Sequence, residues 1–261
     1  MIDLENPFFA HTAQGKIWKT IVSEDGKHLI WEDRDEDQHQ VSFGLYSLTD
    51  RKVLKQKILL EERWWVTVMA CNAHRLIFGY YEDSEDPSDK KIVVFDLNTN
   101  ETVKTIEQAS FEGIQGKEIL VRLHNRKDEL FGLDEHLLLN RQTDQNVMSI
   151  DFTNQIIRPN HYEQGSEYAL TVQRFLNSLI SEDIIDVFDY LEYKESLLIS
   201  YYCRSESGMV NNLLIGSKDF STYEEIMLAD NVSGIGSDTF WIINDQLFFV
   251  QDKDTLLGYD F

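Results

Sequence analysis

The chain has 261 residues, 42% of them hydrophobic and 12% aromatic, which is enough for a sizeable core and too much for a disordered polymer. Its 24 Lys and Arg stand against 46 Asp and Glu, a net charge of −22. Phosphate neutralisation supplies most of the affinity of nucleic-acid binders, and the longest basic clusters here are as short as Arg51-Lys52, so nucleic acid is not the expected partner.

The N-terminus, Met1-Ile2-Asp3-Leu4-Glu5-Asn6-Pro7, lacks the basic start and apolar stretch of a signal peptide. No run of about 18 apolar residues offers a membrane span. With three prolines and no Pro/Ser/Gly-rich linker, one domain over residues 1–261 is expected, in a cytoplasmic monomer. Cys71 and Cys203 form no C-x-x-C pair and flank strand-like segments, which predicts buried, reduced thiols.

Along the chain, a polar or charged residue followed by an apolar triplet beginning with leucine occurs five times. The segments are His28-Leu29-Ile30-Trp31, Arg75-Leu76-Ile77-Phe78, His136-Leu137-Leu138-Leu139, Ser196-Leu197-Leu198-Ile199 and Gln246-Leu247-Phe248-Phe249. The leucines are 47, 61, 60 and 50 residues apart. A strand-rich repeat near 50 residues predicts a β-propeller. Each triplet reads as the second strand (b) of a blade whose two faces both pack on other blades. Inner strands (a) precede it at residues 16–22, 64–70, 184–191 and 239–243. Third strands (c) follow, ending in Tyr46-Ser47-Leu48-Thr49-Asp50, Phe95-Asp96-Leu97-Asn98 and Ile150-Asp151-Phe152. Outer strands (d) are expected at 53–60, 102–106, 155–158 and 222–228. The expected fold is therefore all-β: a five-bladed propeller of four-stranded antiparallel sheets, with six blades as the alternative.

Two stretches depart from the repeat. Residues 118–123 and 129–133 are strand-like where one inner strand would suffice, and they read as an elaborated third blade. Over residues 166–181, Tyr168, Val172, Phe175, Leu176, Leu179 and Ile180 recur at helical spacing behind a Ser166 N-cap, predicting one helical insertion. The last blade lacks a fourth strand, and residues 4–11 are expected to supply it, with Phe8-Phe9 packing in the core.

Chemistry is sparse. No G-x-S-x-G, Walker A or G-x-G-x-x-G motif occurs, and the histidines (11, 28, 39, 74, 124, 136, 161) show no zinc spacing. Asp186 and Asp189, on the fourth inner strand, are the carboxylates best placed for funnel hydrolysis of the glycosidase kind. The first two b–c loops, residues 32–37 and 82–91, are acidic and suit a protein or small-molecule partner of positive charge. Asp33, Asp35 and Asp37 alternate as calcium ligands can, without the glycine and distal glutamate of an EF-hand; no other cofactor is expected. Trp64 and Trp65 open the second inner strand, one expected to cap the central channel and the other to lie between blades.

In overall length and in its leucine-triplet repeat the chain resembles an uncharacterised bacterial β-propeller family, a domain of unknown function. It has neither the Trp-Asp and Gly-His pairs of WD40 repeats nor the kelch double glycine, and the resemblance implies a fold without a site. The expected function is non-catalytic binding or scaffolding. The alternative is a hydrolase acting on a glycan or small metabolite through Asp186 and Asp189.

Overall fold

Four of the five apolar triplets form strands that pair on both sides in the computed structural model, which describes residues 2–72, 74–81, 90–115, 118–123, 129–132, 141–142, 156–206 and 208–261. The chain divides into two compact units, Gln14–Phe152 and Met1–Ala13 with Thr153–Phe261.

The chain opens on β1 (Phe9–Thr12). In the unit Gln14–Phe152 three four-stranded antiparallel meanders follow in chain order. The first is β2 (Lys16–Val22), β3 (His28–Asp35), β4 (Gln40–Ser47) and β5 (Lys52–Ile58). The second is β6 (Val66–Asn72), β7 (Arg75–Tyr81), β8 (Lys90–Asp96) and β9 (Glu101–Ile106). The third is β10 (Ala109–Gln115), β11 (Glu118–Leu123), β12 (Glu129–Gly132) and β13 (Arg141–Gln142). The other unit continues with β14 (Ile156–Ile157), β15 (Asn160–Tyr162) and α1 (Glu167–Leu176). Its long hairpins are β16 (Ile184–Tyr193), β17 (Ser196–Ser205), β18 (Gly208–Ser217) and β19 (Tyr223–Val232), followed by β20 (Phe240–Ile243), β21 (Gln246–Gln251) and β22 (Thr255–Asp260). The fourth sheet runs β15-β16-β17-β18-β19 and the fifth β1-β22-β21-β20-β14.

The all-β class and the antiparallel meander of propeller type stand as the repeat predicts, with five sheets among the described residues, and the one helix stands within the expected 166–181 but ends at Leu176. The triplets are apolar on successive residues because both sheet faces are covered: Leu29, Ile30, Trp31, Leu76, Ile77 and Phe78 are fully buried. Trp31 is accommodated only because its cross-strand partner is Gly44, where a Cβ would sit 1.8 Å from the indole.

The polar residue ahead of each of the four described triplets faces the end of the third strand. His28 pairs with Ser47, Arg75 with Asp96, Ser196 with Ser217 and Gln246 with Asp260. The Arg75–Asp96 pair is a buried ion pair at 2.5 Å, each side chain 4% exposed. Burial alone would push the Asp96 carboxyl up; the backbone N–H groups of Thr99 and Asn98 and the charges of Arg75 and His74 outweigh it and hold it below the usual range. This carboxylate therefore closes the turn after β8 and neutralises the arginine beneath it.

Four expectations are corrected. The second strand of the third sheet is β11, with Ile119, Leu120 and Val121 buried, and the triplet at 136–139 and the strand ending at 150–152 lie outside the described residues. The segment at 155–158 is not an outer strand of that sheet, since Ile156 and Ile157 pair with Ile243 and Ile242 in the fifth. Two sheets are five-stranded, since β14 pairs with β20 and β15 with β16, which covers edges that four-stranded sheets would leave open. Finally, β3 runs to Asp35, so Glu32 and Asp33 are buried strand residues and not a solvated loop.

The N-terminal segment completes the fifth sheet as expected, a few residues later than predicted: Phe9–Thr12 pairs with Thr255–Gly258. Phe9 is buried, and Phe8 packs edge-on against Phe248. Helix α1 begins where Ser166 accepts from the Ala169 N–H, and it buries Ala169, Val172 and Leu176. Tyr168 belongs to its outer face and stacks on Tyr162, which stacks in turn on Tyr190 of β16.

Both cysteines are free and buried. Burial, with Asp25 nearby, pushes the Cys71 thiol up to about 12, and burial with the acids around Cys203 pushes that thiol to about 11. Since the thiolate is the reacting form, iodoacetamide at pH 7.5 is expected to leave the folded protein unlabelled and to label both sites in urea. Mass spectrometry of the intact chain reads the difference, and rapid native labelling would contradict the packing around these strands.

Candidate functional site

The first long strand of four sheets carries a break in register. The residues left without a partner are Trp18 in β2, Met69 in β6, Glu112 in β10, and Asp186 with Val187 in β16. A bulge leaves the extra residue unpaired and disrupts the ladder only locally, which lets it re-aim a side chain while pairing resumes on either side. At Trp18 the result is an indole 65% exposed to solvent, flanked by Ile17 paired to Asp33 and Lys19 paired to Glu32.

Beneath that indole lies a buried polar network. Glu32 is fully buried, and its Oε1 accepts from Arg34 Nε at 2.7 Å. Its Oε2 accepts from Thr67 Oγ1 at 2.7 Å and from the Val68 N–H at 3.1 Å. The Arg34 guanidinium also donates to the carbonyl oxygens of Trp64 and Val66, so its fork is fixed on three sides. Lys19 Nζ donates to the Val68 carbonyl at 2.8 Å; burial lowers its pKa, against the pull of Glu32.

The guanidinium carbon of Arg34 lies 5.4 Å from the ring centres of both Trp18 and Trp64, and His39 stacks on Trp64 at 4.3 Å. Contacts thus run Trp18–Arg34–Trp64–His39, with exposed groups at both ends. Trp64 packs on the core of the first two sheets, while Trp65 is 45% exposed. Glu62 Oε1 accepts from the Trp64 and Trp65 N–H groups. Although burial works against it, these donors, with Arg63 N–H and Lys91, keep the Glu62 carboxyl below the usual range. The end of β3 and the β3–β4 turn add Asp35, Glu36 and Asp37, with Glu36 paired to Lys16 at 3.0 Å.

The expected calcium set is not assembled as a cluster. Asp33 accepts the Gln14 and Gly15 N–H groups, Asp35 caps the Gln38 N–H, and Asp37 is exposed at the turn. Among the described residues no group of three His, Cys, Asp or Glu side chains is placed to hold an ion. The second acidic loop, apart from Lys90 and Lys91 in β8, lies outside the described residues, as do His124 and His136.

The structure places the two hydrolase candidates on β16 with different partners. Asp186 accepts from the Gly165 N–H. Asp189 is buried, its Oδ1 2.7 Å from His161 Nδ1 and its Oδ2 accepting from the Thr239 N–H and hydroxyl at 2.8 Å. Both Asp189 oxygens are thus engaged in tying β15, β16 and the start of β20 together. His161 was legible in the sequence only as one histidine of seven; its partner follows from the His161–Asp189 register. An open, acid-lined cleft of about 680 Å³ also lies between residues 2–5 and 224–226.

A family model matches residues 22–103, the stretch that contains most of the first two sheets. It describes a domain of unknown function, DUF4905. No curated protein matches the chain. Solved structures similar to it include the β-propeller domain of the Trilobed protease from Pyrococcus furiosus, at 12% identity over 94% of this chain and 79% of that one, with a TM-score of 0.35. An acylaminoacyl peptidase is 12% identical over 90% of this chain with a TM-score of 0.34, and the match spans 35% of that peptidase's length. TolB from Acinetobacter baumannii is 10% identical over 94% of this chain and 55% of its own, with a TM-score of 0.28. No helix among the described residues is long and apolar enough to cross a membrane.

Proposed function

We propose that the protein is a non-catalytic binding or scaffolding protein of the cytoplasm. The observation that carries this reading is the contrast between the two sites. Asp189 is buried with both oxygens satisfied inside the fold, whereas the Trp18–Arg34–Trp64–His39 column is held rigidly by buried donors and acceptors and ends in exposed rings. Preorganised, displayed aromatic surface is what a recognition site needs, because little side-chain freedom is lost on contact.

The competing reading, a hydrolase, draws on the His161–Asp189 hydrogen bond, which orients an imidazole as a general base requires. The two readings separate in a turnover assay with chromogenic glycosides, esters and phosphomonoesters. The expected result is no turnover above buffer. Turnover by the wild type that disappears in both Asp189→Asn and Asp186→Asn, with the fold of each retained by circular dichroism, would overturn the binding reading.

A further inference from the structure

We infer that the Trp18 ledge on the first sheet is a docking site for a cationic peptide segment, one that presents arginine side chains. The inference rests on the binding reading and names the site and the chemistry of its occupant. The protein already contains the contact it would repeat: the Arg34 guanidinium lies over Trp18 and Trp64 at 5.4 Å from each ring centre. An indole face attracts a cation through its quadrupole, and guanidinium is the side-chain cation that stacks most readily. Arg34 covers only part of the indole, and the ring is still 65% exposed.

Charge selects among the ligands that could lie on an exposed indole. The end of β3 and the adjoining turn carry Asp35, Glu36 and Asp37 against Lys16, and Glu61 and Glu62 stand against Arg63 just before the two tryptophans. Arg34 itself contributes no net attraction for anions, because Glu32 neutralises it underneath. An anionic or phosphate-bearing ligand would therefore meet repulsion, and a neutral ring would gain nothing from the surrounding negative charge. A guanidinium satisfies both, with its face on the indole and its positive charge in the field of the neighbouring acids. The bulge makes this display inexpensive, since Trp18 takes no part in the β2–β3 ladder.

The test is calorimetric titration with a capped Arg-Gly-Arg-Gly-Arg peptide at 20 mM and 300 mM sodium chloride. The same peptide with citrulline at each arginine is the uncharged control. The arginine peptide is expected to bind, more weakly at high salt, and the citrulline peptide is expected not to bind. Trp18→Ala should weaken binding about fivefold or more without changing the melting curve, because the side chain is exposed. Trp18→Phe should keep part of the affinity. The pair Glu36→Gln and Asp37→Asn should weaken it, while the same charge change at exposed Glu101 and Glu107 should not. Absence of binding, equal binding of the citrulline peptide, or binding undiminished by Trp18→Ala would each overturn this site. None of those results produces turnover, so the binding reading fails only by the separate assay above.

Discussion

Replacing Asp96 with asparagine will lower stability by about 3–5 kcal/mol at pH 7, the cost of breaking a buried ion pair from one side. Arg75 and Asp96 are each 4% exposed, so water cannot take over the missing half of the pair. The amide also gives the Asn98 and Thr99 N–H groups a weaker acceptor than the carboxylate they now share. The pH dependence has a definite sign. In the folded state the Asp96 pKa lies below its ordinary 3.8, so the folded protein binds this proton less readily than the unfolded chain does. Its contribution is complete above the ordinary value and is lost as pH falls through the folded one. Urea midpoints of wild type and Asp96→Asn should therefore be far apart at pH 7 and converge as the pH falls below 3.8. A gap that stays constant as the pH falls through and below 3.8 would mean that Asp96 does not act through its charge.

Removing the first 12 residues is the second large change. It strips β1 from β22 over four paired positions and takes away Ile2 and Phe9, which are 4% and 5% exposed. Burying a side chain of this size is worth about 1.5–3 kcal/mol, and about 1 kcal/mol shifts the melting temperature of a chain this long by roughly 2–4 °C. A fall of about 10 °C or more is expected, together with aggregation, because the outer edge of β22 would then offer unpaired N–H and C=O groups. Scanning calorimetry and light scattering measure both. A truncated chain that stays monomeric and melts like the full one would show that β1 contributes little beyond a crossing contact.

How much of this was legible in the sequence depends on range. The triplets declared themselves because a strand buried on both faces has no alternative to continuous apolar residues, and Ser166 declared α1 by the local chemistry of an N-cap. The N-terminal strand was legible because the last repeat visibly lacked one. The destination of Ile156 and Ile157 was not, since a two-residue strand has no period and its partner, Ile242–Ile243, lies some 86 residues away. The candidate site was obscured for a different reason. Glu32 and Arg34 stood in a run of charges that sums like a solvated loop, and only the length of β3 shows that they are buried. Trp18 gave no signal, because a bulge is a property of two strands in register and not of either sequence alone.

The register breaks also bear on how such a protein changes over generations. A residue inside a ladder is constrained by its partner across the strand, by the face it shares and by the sheet packed upon it. The extra residue of a bulge escapes the first of these constraints. Trp18, Met69, Glu112 and Asp186 occupy this position in four sheets, and they are an aromatic, a thioether and two acids. Where such a residue is also exposed, as Trp18 is, its chemistry can be exchanged while the pairing on either side stays intact, so a new surface can be tried there without refolding the sheet.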